Sequence, residues 1–351
     1  MSWTECQLGE ILTLKRGYDL PNSARKNGDV PVVSSSGITG YHNTAKVDGP
    51  AVVTGRYGTL GEVYYVEGEC WPLNTALYVQ NFKGNRPKFV YYFLQSVLKG
   101  MKSDKAAVPG VNRNDLHARN VICTKDHALQ AAVEELISPY DDLITNNRRR
   151  IQLLEESARL LYQEWFVHLR FPGHEQVKII DGVPEGWEKK PLKKIATLNY
   201  GKALKAEVRV PGPFLVYGSS GEVGSHEKAL VKGPGIVVGR KGNVGSVYWV
   251  NADFYPIDTV YFISAEESSL FLYHALQNVQ FINTDVAVPG LNRDMAYSRE
   301  ILIPDDKNYH RFLSEVKPIQ EQINKLQDYN NKLAQARDLL LPKLMSGELT
   351  V

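Results

Sequence analysis

Two glycine-spaced segments are the first residues in this chain whose types and spacing could do chemistry: GRYGTLG at 55–61 and GRKGNVG at 239–245. Glycines three apart let a backbone approach a phosphate closely, as in nucleotide-binding loops and at nucleic-acid backbones. A dinucleotide-binding loop also needs a strand before it, a helix after it and an acidic residue about 20 positions on. Neither segment has that context, since GEVYYV and GSVYWV read as the continuation of a strand pair. Tight turns between strands and close approach to a phosphate remain, and the residues alone leave both open. Glu188-Lys189-Lys190 fits a nuclease Glu-x-Lys fragment, but such triplets are common and this one reads as surface charge. There is no Asn/Asp-Pro-Pro-aromatic tetrapeptide of the adenine methyltransferase kind, no GxxxxGK[ST] phosphate loop, and no His/Cys cluster at metal-ligand spacing. The expectation is a chain without catalysis, cofactor or metal of its own.

The two loops are part of a larger repeat. GRYGTLGEVYYV (55–66) returns as GRKGNVGSVYWV (239–250), 184 positions later. Gly37, Gly40 and His42 match Gly221, Gly224 and His226 at the same offset, as Trp3, Leu8 and Gly17 match Trp187, Leu192 and Gly201. AVPGVNR (107–113) recurs as AVPGLNR (287–293) at an offset of 180, and Pro139 matches Pro318 at 179. A period this long means two diverged domains, not a solenoid of short units.

Bulk properties agree. A length of 351 residues allows two or three domains, and 43% hydrophobic with 23% charged residues is ordinary for globular proteins. The net charge of +2 weakens, without excluding, nucleic-acid binding by the chain alone. Cys6, Cys70 and Cys123 are odd in number and all in the first copy, so they read as reduced thiols and not as a duplicated disulfide framework. With no signal peptide and no 18-residue apolar run, a soluble cytoplasmic protein with no membrane contact is expected.

Each copy must hold its loops on two kinds of element. Residues 1–125 and 172–305 form the globular segments; within them VPVVSSS (30–36), GIVV (235–238), VYYV and VYFI, punctuated by Gly, read as short strands. FVYYFLQSVLKGM (89–101) and SLFLYHALQNV (269–279) add a little helix. Residues 126–171 and 306–351 are the helical segments. Ile137, Tyr140, Ile144, Asn147, Ile151, Leu154, Ala158, Leu161 and Trp165 keep a three-four spacing. So do Val316, Ile319, Ile323, Leu326, Asn330, Leu333, Arg337, Leu340 and Leu344. This is a heptad seam, interrupted once in each helix by an asparagine. Pro139 and Pro318 predict a kink or restart. The seams either pack each helix on its own domain or pair the two helices; pairing is favoured, with Ile144, Ile151, Leu154 and Leu161 against Ile323, Leu326, Leu333 and Leu340. An antiparallel pair would relate the domains by a pseudo-two-fold axis. Residues 139–171 would span ~50 Å at ~1.5 Å per residue, a length that suits half-sites about one DNA turn, ~34 Å, apart.

The PEGW segment (184–187), the paired SSG…GYHN and SSG…GSHE stretches, the glycine loops, the AVPG-N-R loops and the doubled order with two helical spacers resemble the specificity subunit of type I restriction–modification systems. The resemblance covers essentially the whole chain. It implies an α+β fold with two tandem, mixed, β-rich target recognition domains, separated by two long helices paired as an antiparallel coiled coil. Each domain would read one half of a split site on double-stranded DNA. The helices would set the spacer and dock two methyltransferase subunits carrying S-adenosylmethionine, which a restriction subunit can join.

Comparison of the copies divides the candidate DNA-binding residues. Residues alike in both suit scaffold or phosphate contact: Arg25 and Arg209, Ser36 and Ser220, His42 and His226, Arg56 and Arg240, Arg113 and Arg293. Residues that differ at matched positions suit base readout: Tyr41 against Ser225, Tyr57 against Lys241, Thr59 against Asn243, Asn114 against Asp294. Arg113 and Arg293 could equally bind carbonyls of their own turns, and the two histidines could be structural. Arg148-Arg149-Arg150 reads as a solvated face. The rival reading is an adaptor with two duplicated protein-binding domains; a third is an enzyme with twin sites.

Overall fold

A computed structural model describes residues 3–57, 60–100, 110–281 and 290–349. The chain forms two compact units, Met1–Asn146 with Tyr329–Val351, and Asn147–Asp328. Each therefore combines one globular segment with parts of both long helices.

The two units repeat one sheet plan. In the first, a four-stranded sheet runs in the order Thr13–Arg16, Ala76–Asn81, Ala51–Gly55, Val63–Val66. In the second the order is Asn199–Tyr200, Val260–Ile263, Gly235–Gly239, Val247–Val250. The central strands AVVTG and GIVVG are buried at every position, as β-branched runs covered on both faces should be. A three-stranded sheet lies beside each: Gly37–His42, Val30–Ser34 and Trp71–Pro72, then Gly221–His226, Phe214–Gly218 and Phe254–Pro256. In both, the middle strand pairs antiparallel on one side and parallel on the other. The register also slips at matched places, between Pro31 and Val33 and between Leu215 and Tyr217. A two-stranded ribbon closes each unit, Thr4–Gln7 with Asn120–Cys123 and Glu188–Pro191 with Glu300–Ile303. The duplication is thus one of topology and register as well as sequence.

Gly17 and Gly201 sit where the first strand of each four-stranded sheet turns toward the three-stranded sheet. A Cβ there would drive into the backbone carbonyls of Leu73 and Ile257 respectively, which cannot swing aside as a side chain could. Gly201→Ala is expected to cost about 1–3 kcal/mol, read as a lower urea midpoint. Gly68→Ala, with open space around it, should stay within about 0.5 kcal/mol of wild type.

The long helices run His127–Tyr162 and Asp306–Met345. Helix continues through Pro139 and Pro318, so the predicted restart does not occur; Ile137 and Ile144, buried on either side of Pro139, anchor the helix across the lost hydrogen bond. Within the first unit the pairing is antiparallel: Arg337, late in the second helix, bonds Asp141, early in the first, at 2.5 Å. Within the second unit Phe312, early in its helix, meets Tyr162 and Trp165, late in theirs, both at 5.9 Å between ring centroids. Of the seam residues, Ile137, Ile144, Asn147, Ala158, Trp165, Val316, Ile323, Leu326 and Leu344 are buried, and the rest, Ile151, Leu154, Leu161, Leu333 and Leu340 among them, are half-buried.

Each helix also packs on its own globular segment, so the two readings of the seams both hold. Val133, Ile137, Leu341 and Leu344 share a core with Phe89, Val90 and Leu94. There Glu134 accepts hydrogen bonds from Phe89 N (2.9 Å) and Arg86 Nη2 (2.7 Å), and Gln130 accepts from Arg86 N (3.0 Å). The central helix thereby caps the first turn of the helix Pro87–Leu98, whose own N-cap residue, Arg86, supplies no side-chain cap. The second unit does it differently. Ser269 caps the helix Leu270–Asn278, and Phe271 of that helix clusters with Tyr162, Phe166 and Phe312, with Phe312 edge-on to the other three rings. The three cysteines are free, and burial pushes the Cys70 thiol up to about 11 and the Cys123 thiol to about 12, which keeps both unreactive.

Candidate nucleic-acid interface

The glycine loops are hairpin turns. In GRKGNVG the Gly239 and Gly245 amides donate to Ser246 O (2.7 Å) and Gly239 O (2.9 Å). Gly239 has no room for a Cβ against Asn243 O and Ser246 Oγ, and Gly242 and Gly245 take positive φ, +79° and +77°. The first glycine permits a close approach and the other two a left-handed backbone. Most of the turn's amides are spent within the protein, so what reaches outward is side chains. Gly58 and Thr59 of the matching loop lie outside the described residues.

Each hairpin is docked on the end of its AVPG loop. Tyr57 bridges Gly110 and Lys241 bridges Gly290, while Val111 N donates to Arg56 O (2.9 Å) and Leu291 N to Arg240 O (2.7 Å). Residues 107–109 and 287–289 lie outside the described ones. The asparagine that follows is a helix cap: Asn112 Oδ1 accepts from Asn114 N (2.9 Å) and Asn292 Oδ1 from Asp294 N (2.8 Å). Two repeated motifs some fifty residues apart in sequence thus become one junction in each unit. In the second unit the SSG turn joins it, because Ser246 Oγ donates to Ser219 O at 2.6 Å.

Four arginines sit at these junctions. The Arg56 guanidinium lies over the Tyr57 ring, 4.6 Å from its centroid. Arg240 and Arg293 both lie 5.0 Å from the ring of Tyr200, and Arg240 donates to Asp258 O at 3.2 Å. Arg113 reaches its neighbour Asn114 Oδ1 at 3.4 Å. None of the four has a carboxylate partner among the described residues, whereas Arg86, Arg159, Arg170 and Arg337 all do. The residues that differ between the copies, Tyr57, Asn114, Lys241, Asn243 and Asp294, are all exposed around them.

The other shared candidates are built into the scaffold. Arg25 donates to Thr39 O at 2.9 Å, and Arg209 donates to the matching carbonyl of Val223 and to Leu204 O. Gly40 and Gly224 leave the space these guanidinia occupy. His42 Nδ1 accepts from Lys26 N (3.0 Å) and stands edge-on to Trp71; His226 Nδ1 accepts from Val210 N (3.2 Å) and stands edge-on to Tyr255. Each histidine therefore satisfies a backbone donor of the segment that precedes its sheet. Ser36 and Ser220 are exposed at the SSG turns, Tyr41 is exposed on its strand, and Ser225 is half-buried near Gly212 N.

Paired comparison of loops alone misses three positions. Tyr200 is one, matched in the first unit by Arg16: they occupy the same ladder position, opposite Tyr261 and Leu77. His117 and Tyr297 are another pair. His117 Nε2 accepts from Leu14 N and the Tyr297 hydroxyl accepts from Leu198 N, both at 2.9 Å. Burial, then Arg113 and Lys83, lower the His117 pKa, which favours the neutral ring that this bond requires. Tyr261 closes the second junction from below by donating to Leu291 O at 2.9 Å, and burial with the neighbouring Tyr200 raises its pKa. The available signal was the repeat offset, applied to strand ends as well as loops. Among the described residues no group of three His, Cys, Asp or Glu could hold a metal ion.

Comparison with known proteins matches this duplicated plan. The model of the type I restriction modification DNA specificity domain matches twice, over residues 1–156 and 184–335. The type I restriction enzyme MjaIX specificity subunit of Methanocaldococcus jannaschii is 26% identical over 254 residues, which covers 63% of this chain and 59% of that protein's length. Among solved structures, the S subunit of a type I restriction–modification system from M. genitalium superposes with a TM-score of 0.56 at 16% identity, over 98% of this chain and 96% of that one. At that identity the likeness establishes the fold.

Proposed function

The chain belongs to the type I restriction modification DNA specificity family, and from that premise we propose that it is the sequence-reading subunit of a DNA methyltransferase complex. Each unit reads one half of a bipartite duplex site. The observation that carries this is the pair of junctions. Arg56 with Arg113, and Arg240 with Arg293, stand at matched places without carboxylate partners among the described residues, while the exposed residues beside them differ in type. Matched arginines suit the phosphate backbone, which is the same at every site; unlike neighbours suit base edges, which are not. The chain contributes no chemistry. Adenine N6 methylation belongs to two methyltransferase subunits that hold S-adenosylmethionine and flip the base from the duplex, and a restriction subunit can join them. The long helices dock those subunits and set the spacing between half-sites. No helix among the described residues is long and apolar enough to cross a membrane.

A net charge of +2 argues that the chain alone holds duplex DNA weakly and that the partners close around it. Gel-shift titration of the chain with and without its methyltransferase subunit tests this. Specific binding is expected only with the partner, with log K falling linearly as log salt rises. Tight specific binding by the chain alone would overturn the partner requirement. Failure of the complex to bind duplex at any salt would return the adaptor reading.

A further inference from the structure

The two junctions support their arginines in different ways. In the first unit Arg56 rests on its own neighbour, Tyr57, on the hairpin tip. In the second unit the tip residue is Lys241, which offers no ring, and Arg240 lies instead over Tyr200 at the sheet edge. Tyr200 replaces Arg16 of the first unit at the same ladder position. The aromatic support has moved from tip to sheet, which leaves the tip position open to a different side chain.

Tyr200 also does more than Tyr57 does. Arg293 lies over it as well, at the same 5.0 Å, and Tyr261 backs it with ring centroids 5.1 Å apart. Two guanidinia at one ring repel each other, and neither has a carboxylate partner among the described residues. The ring quadrupole offsets part of that repulsion, and a bound anion would remove the rest. Guanidinia held at a ring face keep N–H donors for an oxyanion. We propose that Tyr200 is a positioning residue that holds Arg240 and Arg293 together as a two-pronged clamp for backbone phosphates of the half-site the second unit reads. This rests on the DNA-reading function proposed above. Phosphate is favoured over a base edge because both arginines recur in the first unit, where the bases read are expected to differ.

The test uses the full chain in complex with its methyltransferase subunit, a duplex carrying the methylated motif, and a scrambled duplex of equal length. Tyr200→Leu removes the nearer ring from both arginines and the one ring they share, leaving Tyr261 at 5.7 Å from Arg240 and Tyr297 at 5.9 Å from Arg293. Affinity for both duplexes should fall about 5- to 30-fold, and the slope of log K against log salt should shrink by roughly one to two. The methylated motif in cells should keep its sequence. Tyr200→Phe, which keeps the ring, should restore affinity and slope; rescue of this kind separates positioning from a general loss of folding, to which a side chain 49% exposed should contribute little. Wild-type affinity and slope for Tyr200→Leu, or altered bases in the motif, would overturn the clamp while the DNA reading stands. Absence of salt-dependent duplex binding by the wild-type complex would instead bring down the DNA reading itself.

Discussion

A complex carrying Lys241→Ala with Asn243→Ala is expected to methylate a motif relaxed in one half and unchanged in the other. Both side chains are exposed on the hairpin tip, and the tip does not depend on them. Its shape is held by Gly242 and Gly245 at positive φ, by Lys241 N on Thr259 O (3.1 Å), and by Ser246 Oγ on the Asn243 carbonyl (2.9 Å). The last two use backbone atoms that alanine keeps. What is lost is outward reach. Each base contact removed should cost ~1–3 kcal/mol of discrimination, about fivefold to 150-fold. Arg240→Ala, beside the same tip, should weaken binding to all sequences alike and leave the motif intact. Methylome sequencing of cells carrying each variant distinguishes the two patterns. Should the tip variant alter both halves of the motif, one unit does not read one half, and the two-reader model is wrong.

The repeat made much of this molecule legible before any coordinates. An offset of 184 that holds from Trp3 to Val66 has no room for different strand orders, and both units do share one sheet plan and one register slip. The heptads located the helices, and the glycine loops located the hairpins. What escaped was long-range. The parallel pairing of Val30–Ser34 with Trp71–Pro72 rests on two register pairs, too few to leave a periodic signal. The docking of the Tyr57 hairpin on Gly110 joins segments with a helix and two strands between them. The Tyr200 stack needs three separate segments to meet. Of the two outcomes that the prolines allow, a kink or a restart, the restart does not occur: buried Ile137 and Ile144 hold the turns on either side of Pro139. Among the candidates, identity between copies proved to mix two causes. Arg25, Arg209, His42 and His226 are alike because each pair satisfies matching backbone groups, whereas Arg56, Arg113, Arg240 and Arg293 recur with no such partner in common among the described residues.

Seven residues inserted after Asn146 and seven after Asp328 should give a complex that methylates the same two half-sites with a longer spacer. Those are the points where each long helix passes from one compact unit to the other. The contacts named above that fasten each helix to its unit stay on their own side: Glu134 with Arg86 and Phe89, Asp141 with Arg337, Tyr162 and Trp165 with Phe312. Seven residues are one heptad, so the apolar seam continues in phase, and the added helix is ~10 Å long. At ~3.4 Å per base step that corresponds to roughly three base pairs. The original site should then engage one unit at a time. Losing the readout of only two base pairs costs about 2–6 kcal/mol, so its methylation should drop roughly thirtyfold or more. The insertion also turns one reader relative to the other, which DNA bending absorbs in part, so the lengthened site should be methylated below the wild-type level. Inserting four residues in each helix supplies the control, because it takes the seam out of phase and should lower stability without creating a new motif. An unchanged spacer at full activity, or new bases in either half, would show that the helices are not the ruler.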